Sequence, residues 1–239
     1  MTADAMGGIL DAHGGLSYWQ SLSTIDLNVS IRGFLFTAKR IPVLHNAAMS
    51  VNVRKPEVAL EDFPEPGQIA VLDGANRVEI RDLAGNVLSS RTNPRSEFGQ
   101  WRRSLYWDAL DFTYFSGYAM WNYLTLPFLL THPGVSVETV GETTSDDMTH
   151  LRARFPSELP THCPVQDFWF DRDGLLRRHD YTAEVIGSWA RAAHLCEKYR
   201  QFGGLSIPTR RRVYPRGPLG RPLGFPTLVA IDIHEAWPR

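Results

Sequence analysis

Eleven aromatic side chains crowd the stretch from Phe98 to Phe128, and that stretch lacks the period-two alternation that governs most of the chain around it. Upstream, Ile25, Leu27, Val29 and Ile31 alternate with Asp26, Asn28, Ser30 and Arg32, the pattern of a half-buried strand. Val43, His45, Ala47, Met49, Val51 and Val53 repeat it. Asp73-Gly74 and Ala84-Gly85-Asn86 bracket shorter strands around Val78 to Arg81 and Val87 to Ser90. After Pro133-Gly134 strand patterns resume, over residues 135–140, 149–155, 165–171, 175–186, 189–201, 206–215 and 227–235. The count is about ten strands with hairpin-length links, hence an antiparallel sheet. A sheet of that width curls, and its concave face must be filled. The aromatic segment, about 98–130, is the natural filler. Within it Trp101, Leu105 and residues 107–110 suit one helix, and Phe115, Tyr118, Trp121 and Asn122 suit a second, ended by Pro127. Residues 8–22 read as a leading helix weakened by Gly14-Gly15. The expectation is one α+β domain over residues 1–239, a strongly curved antiparallel sheet (an incomplete barrel) with helices covering the concave face.

Charge and composition remove several classes of partner. Twenty-five Lys+Arg against 26 Asp+Glu leave a formal net charge of −1, with no global pull toward nucleic acid or acidic membranes. Two cysteines make no disulfide framework. No GxGxxG, Walker, GxSxG or HExxH pattern is present, so no cofactor and no metal is expected. The start, MTADAMGGILDAHGG, lacks a basic region followed by an apolar stretch, and the longest apolar run is far short of the ~20 residues of a membrane helix. A cytoplasmic chain follows as the expectation, with no membrane insertion, no protein partner and an inert sequon at Asn28-Val29-Ser30.

The late hairpins place the chemistry. A two-residue turn at Gly187-Ser188 makes facing residue numbers sum to 375. Glu184 then faces Arg191 and Arg178 faces Glu197, two charge pairs that support the register. Asp180 and Thr182 share that face, which reads as the solvated one. The other face carries Arg177, His179 and Tyr181 against Cys196 and His194, with His179 opposite Cys196 and Tyr181 opposite His194. Gln166 and Phe168, or Asp167 and Trp169, adjoin it on one side. On the other, either Arg211 or the pair Arg210 and Arg212 reaches it, since a one-residue slip swaps faces.

Three readings compete for this cluster. In the first, His179 or His194 is a base, Tyr181 an acid, and Arg211 or Arg212 an oxyanion anchor. In the second, the cluster is a satisfied polar network that fixes the register. In the third, His179, His194 and Cys196 hold zinc, but no ligand motif accompanies them. Cys196 as a nucleophile would need an electropositive setting; Cys163 and His162, in Thr161-His162-Cys163-Pro164, carry no assigned role. In the aromatic segment Tyr114, Tyr118, Trp121, Asn122 and Tyr123 combine apolar area with polar handles, as in a ligand cavity, or else simply pack the core.

The leading helix into Ile25–Ile31, the central helical insert, and the late hairpin Phe168-Trp169-Phe170-Asp171-Arg172-Asp173-Gly174-Leu175-Leu176-Arg177 together resemble the LolA/LolB superfamily of lipoprotein carriers. That resemblance implies a curved incomplete barrel with helices over a hydrophobic cavity. Binding of a lipophilic small molecule is the first functional expectation, with Tyr114, Tyr118, Trp121, Asn122, Cys196, Phe168 and Arg177 lining the site. A cofactor-independent acid–base enzyme of isomerase, cyclase or lyase type is the alternative. A structural protein with a filled core and an exposed apolar patch is the third.

Overall fold

The computed structural model describes residues 3–140 and 148–239. Thirteen strands lie in one sheet in two antiparallel meanders. The first runs β1 (Thr24–Arg32), β2 (Leu44–Asn52), β3 (Glu57–Glu61), β4 (Gln68–Asp73), β5 (Arg77–Asp82) and β6 (Val87–Thr92). The second runs β7 (Ser136–Thr139), β8 (Thr149–Arg154), β9 (Val165–Phe170), β10 (Leu176–Thr182), β11 (Arg191–Phe202), β12 (Leu205–Pro215) and β13 (Val229–Pro238). β1 pairs with β13, and β6 and β7 are the free edges, so the sheet is not closed into a barrel. The count exceeds the expected ten because β3 is only five residues long with a glutamate at each end, and β4 is six residues long between Gln68 and Asp73.

The chain crosses from one sheet edge to the other through the helical insert: α4 (Pro94–Glu97), α5 (Trp101–Leu105), α6 (Ala109–Thr125) and a 3-10 turn (Phe128–Thr131). The first anticipated helix stops at Leu105, because Asp108 starts the next. Its carboxylate accepts from the Asp111 N–H (2.9 Å) while the Asp111 carboxylate accepts from the Asp108 N–H (3.1 Å), a reciprocal capping box. From Asp111 to Thr125 every side chain of α6 is buried, as a helix apolar on all sides requires.

That burial demands curvature. Gly117 of α6 lies against Leu72 of β4, where a Cβ would come within 2.8 Å of the leucine Cβ. Tyr123, on the same helix, hydrogen-bonds Tyr181 of β10 (2.7 Å). β4 and β10 stand seven strands apart in the sheet. At about 4.8 Å per strand that is about 34 Å when flat, against roughly 10–12 Å for a helix with its side chains. The sheet therefore wraps around α6.

Two further helices plug one end. The leading segment is α1 (Ala3–Ala12) followed by α2 (Leu16–Ser21), not one helix over 8–22. Gly14 and Gly15 take φ of 121° and 81°, and a Cβ on Gly14 would sit 2.3 Å from the Gly204 carbonyl oxygen. Trp19 of α2 stacks on Phe128 (4.4 Å, 5° between planes) and closes that end. At the other end, α3 (Phe34–Ala38) links β1 to β2 beside the β12–β13 link, where the Phe34 N–H donates to the Thr227 carbonyl (3.0 Å). Among the described residues no helix is long and apolar enough to cross a membrane.

The β10–β11 register departs from expectation by two residues. The ladder ends at Thr182 opposite Arg191, Ala183 N–H donates to the Ala190 carbonyl (2.9 Å), and residues 184–189 make a wide turn. His179 faces His194 and Tyr181 faces Ala192, so facing numbers sum to 373. The charge pairs that argued for the tighter turn go elsewhere: Glu184 to Arg95 (3.0 Å), Arg178 to Asp180 (2.6 Å), Glu197 to Arg210 (3.4 Å). A shift of two preserves the face, so His179, Tyr181, His194 and Cys196 still point into the trough. The opposite face is less open than expected, because Asp180 is 1% exposed and clamped by Arg178 and Arg216.

Candidate functional site

A hydrogen-bonded chain of aromatic groups lies at the centre of the trough. The link between β8 and β9 dips inward at residues 160–163. The Asn122 amide donates to the Pro160 carbonyl (2.7 Å), and the Arg95 guanidinium donates to the carbonyls of Thr161 (2.8 Å) and His162 (3.2 Å). These bonds satisfy a buried backbone that has left the sheet. They deliver His162, fully buried, between two tyrosines of α6: Tyr118 Oη stands 3.1 Å from Nδ1 and Tyr123 Oη 2.9 Å from Nε2. Tyr123 Oη continues to Tyr181 Oη (2.7 Å), and the Tyr181 ring stacks on His162 (3.8 Å, 4°).

The direction of this chain follows from counting protons. Burial, with lesser contributions from His179 and Arg95, holds His162 well below the usual imidazole range, so it is neutral and has one donor and one acceptor nitrogen. The Tyr118 hydroxyl has no other hydrogen-bond partner among the described residues. If Tyr118 donates to Nδ1, then Nε2–H donates to Tyr123 and Tyr123 to Tyr181. The hydroxyl proton of Tyr181 is then left over. The reverse order would bury the Tyr118 proton without an acceptor, at a cost of about 1–3 kcal/mol.

A second layer lies deeper. His179 is stacked on Phe168 (4.5 Å) and bonded through Nε2 to Gln166 Oε1 (2.5 Å), while its Nδ1 has no partner among the described residues. His194 meets the Tyr123 ring edge-on (4.4 Å), and both its nitrogens lack partners among the described residues. Arg211 donates to the Tyr123 carbonyl (2.7 Å), in the last turn of α6, and to Cys196 Sγ (3.4 Å). Burial and the Arg211 charge push His179 down to about 3 and His194 well below its ordinary value. Burial raises the Cys196 thiol, which leaves it protonated and a poor nucleophile. Among the described residues no group of three or more His, Cys, Asp or Glu side chains is arranged to hold a metal.

The remaining candidates scatter. Arg212 is on the opposite face, bonded to Asp232 (2.6 Å). Arg177 sits at a bulge and reaches Asp171 (2.5 Å). The Trp121 indole donates to the Asn52 carbonyl (3.1 Å), away from the cluster, and Tyr114 packs beside Tyr118 (5.1 Å). Sequence reasoning left His162 without a role and Gln166 as one of two options. Their only signal was a histidine in a short, proline-ended loop.

Tyr181 joins the cluster to a cavity of about 450 Å³. Leu35, Phe98, Phe115, Val185, Ala192 and Val213 form its apolar walls, and Phe34 and Trp189 rim its mouth. Several polar groups around it are already engaged. The Lys39 ammonium donates to the carbonyls of Arg103 (2.8 Å) and Ser104 (2.6 Å), and Arg103 pairs with Asp111 (2.6 Å). A groove of about 520 Å³ over β2–β5 is larger, but it is shallow and lies on the outer face, lined by Ser50, Glu57, Asp73 and Arg81.

No family model and no curated protein matches this sequence. Solved structures do match in shape. A LolA superfamily protein from Nitrosomonas europaea superimposes over 100% of this chain and 94% of its own, with a TM-score of 0.53 at 12% identity. A DUF1329 family protein from Desulfovibrio piger covers 99% and 94%, with a TM-score of 0.48 at 14% identity. At 12% identity the first likeness is one of architecture, and on it, together with the open sheet wrapped around a central helix, this chain has a LolA-like fold.

Proposed function

We propose that the chain binds a lipophilic small molecule carrying a hydrogen-bond acceptor in the cavity bounded by Tyr181. The observation that carries this reading is an apolar-walled volume of about 450 Å³ with a tyrosine whose proton is left over. That size suits a small-molecule site, and the preformed walls reduce the ordering cost of binding. Native mass spectrometry of the purified protein tests it directly, alongside titration with an environment-sensitive apolar dye. Bound ligand or saturable dye uptake, lost in Ala190→Phe at the cavity wall, is the expected result. An empty protein that takes up no dye counts against the reading.

A second reading has a specific observation in its favour. Tyr181, Tyr123 and His162 form a proton relay with one end at the cavity. In an acid–base enzyme of isomerase type Tyr181 would give its proton to the ligand and take one back from the ligand's donor position within the same turnover, with the hydrogen bonds from Tyr123 and, behind it, His162 stabilising the phenolate formed in between. His179, His194 and Arg211 would act as positioning residues behind Tyr123. Conversion of an identified ligand, abolished by Tyr181→Phe with binding retained, would favour the enzyme over the carrier.

A further inference from the structure

Large exposed apolar side chains are unevenly distributed over this molecule. The antiparallel register sorts every link to one end of the sheet or the other. At the end closed by α1 and α2 the described residues expose one large apolar side chain, Trp237 (45%). The opposite end, where the cavity opens, carries Leu219 (89%), Phe225 (82%), Trp189 (75%), Leu223 (59%), Phe34 (58%) and Leu105 (57%), while Leu83 and Leu88 are exposed at the β5–β6 hairpin on the other arm and Trp101 at the start of α5. Several of these come from separate links brought together around the mouth. Arg216 N–H donates to the Arg191 carbonyl (2.9 Å), Leu223 N–H to the Pro215 carbonyl (2.9 Å), and Phe34 N–H to the Thr227 carbonyl (3.0 Å).

The most exposed of them stand on a built loop. Residues 216–228 fold back through Gly217 N–H to the Arg221 carbonyl (2.9 Å) and Gly220 N–H to the Gly217 carbonyl (3.0 Å), with Arg216 bridged to Pro222. Gly220 and Gly224, at φ of 74° and 75°, make the turns that hold Leu219, Leu223 and Phe225 outward. Apolar side chains presented by such a scaffold mark an interaction surface.

Charge selects the partner. Arg40, Arg191 and Arg221 are exposed in the same links, and none pairs with a carboxylate among the described residues. Of the acids nearest them, Glu184 and Asp180 are already paired, with Arg95 and with Arg178 and Arg216, and Glu158 of the β8–β9 link is exposed with no ion pair among the described residues, one free acid against three free arginines. Asp62, Glu65 and Asp82 of this end lie on the other arm, in the β3–β4 link and at the end of β5. Tryptophan, phenylalanine and leucine among free arginines suit the interface of an anionic bilayer. We propose that this rim docks on the surface of membranes containing anionic lipid, with the cavity mouth facing the lipid. The docking stands on the rim alone and does not require that the cavity hold a ligand.

Both cysteines are buried, so a single cysteine placed by mutation can be labelled selectively. Leu219→Cys and, at the far end on α2, Gln20→Cys are each labelled with a polarity-sensitive fluorophore and mixed with phosphatidylcholine vesicles, with or without phosphatidylglycerol. The position-219 probe should brighten severalfold and shift to the blue, while the position-20 probe should not change. Omitting the anionic lipid should weaken partitioning by about 100-fold, at roughly fivefold per arginine. Phe225→Asp, at an exposed site that leaves the core untouched, should abolish the response. Ala190→Phe should bind vesicles normally, which separates failure of docking from failure of cavity binding. No response at position 219, or equal responses at both positions, overturns the proposal. So does a stable dimer by light scattering that hides the position-219 probe without vesicles, since the rim would then serve a second copy.

Discussion

Lowering the pH from 7 to 5 removes stability from this fold at a rate set by its buried histidines. Burial depresses His13 to about 4 and His179 to about 3, and holds His162 and His194 well below their ordinary value. An unfolded histidine titrates near 6.5. The stabilisation is therefore fully present above that value and is lost as pH falls toward the folded values, because the unfolded chain takes up protons that the native state refuses. Each histidine removes about 1.4 kcal/mol per pH unit in that window. For His13 and His179 together the loss between pH 7 and pH 5 is about 4 kcal/mol, a large share of the 5–15 kcal/mol typical of a domain. His162 and His194 act in the same direction. Urea unfolding followed by tryptophan fluorescence at pH 7, 6 and 5 should show the midpoint falling at a constant m-value. His13→Gln should reduce the pH slope by one histidine's share. An unfolding free energy that stays flat from pH 7 to pH 5 would refute the reasoning, since it would mean that these side chains charge inside the native protein.

Three other outcomes follow from the packing. Asp111→Asn strips the buried carboxylate from Arg91 and Arg103 and should cost about 3–5 kcal/mol by chemical denaturation. Gly33→Ala places a Cβ 2.3 Å from the Leu228 carbonyl oxygen at a φ of 142°; a loss of about 3 kcal/mol or more, seen as a lowered Tm, is expected as α3 is levered off β13. Tyr181→Phe removes the acceptor of the buried Tyr123 hydroxyl and should cost about 1–3 kcal/mol in the same assay.

The sequence carried the fold more clearly than the site. Alternation in residues 25–31 and the aromatic crowd before Phe128 are local signals, and both became the elements they implied. The face of His179, Tyr181, His194 and Cys196 was legible even though the turn was misjudged, because a two-residue slip keeps parity. Arg211 and Arg212 show the limit of that method. Only the observed pairing of Cys196 with Arg211 decides which of them enters the trough. His162 was beyond reach, since its role depends on Arg95 and Asn122, each far from it in sequence, drawing a loop into the interior.

The pairing of β1 with β13 has a consequence for how the molecule is assembled. Ile25 lies opposite Pro238, and the whole seam joins segments about two hundred residues apart, the costliest class of contact to close. During synthesis β1 leaves the ribosome long before its partner and waits as an open edge, with the trough beside it unfilled until α6 follows. Such an edge invites pairing with other chains. Folding of this protein should therefore be slow, limited by closure of that seam, and most prone to aggregation while the last strand is still missing.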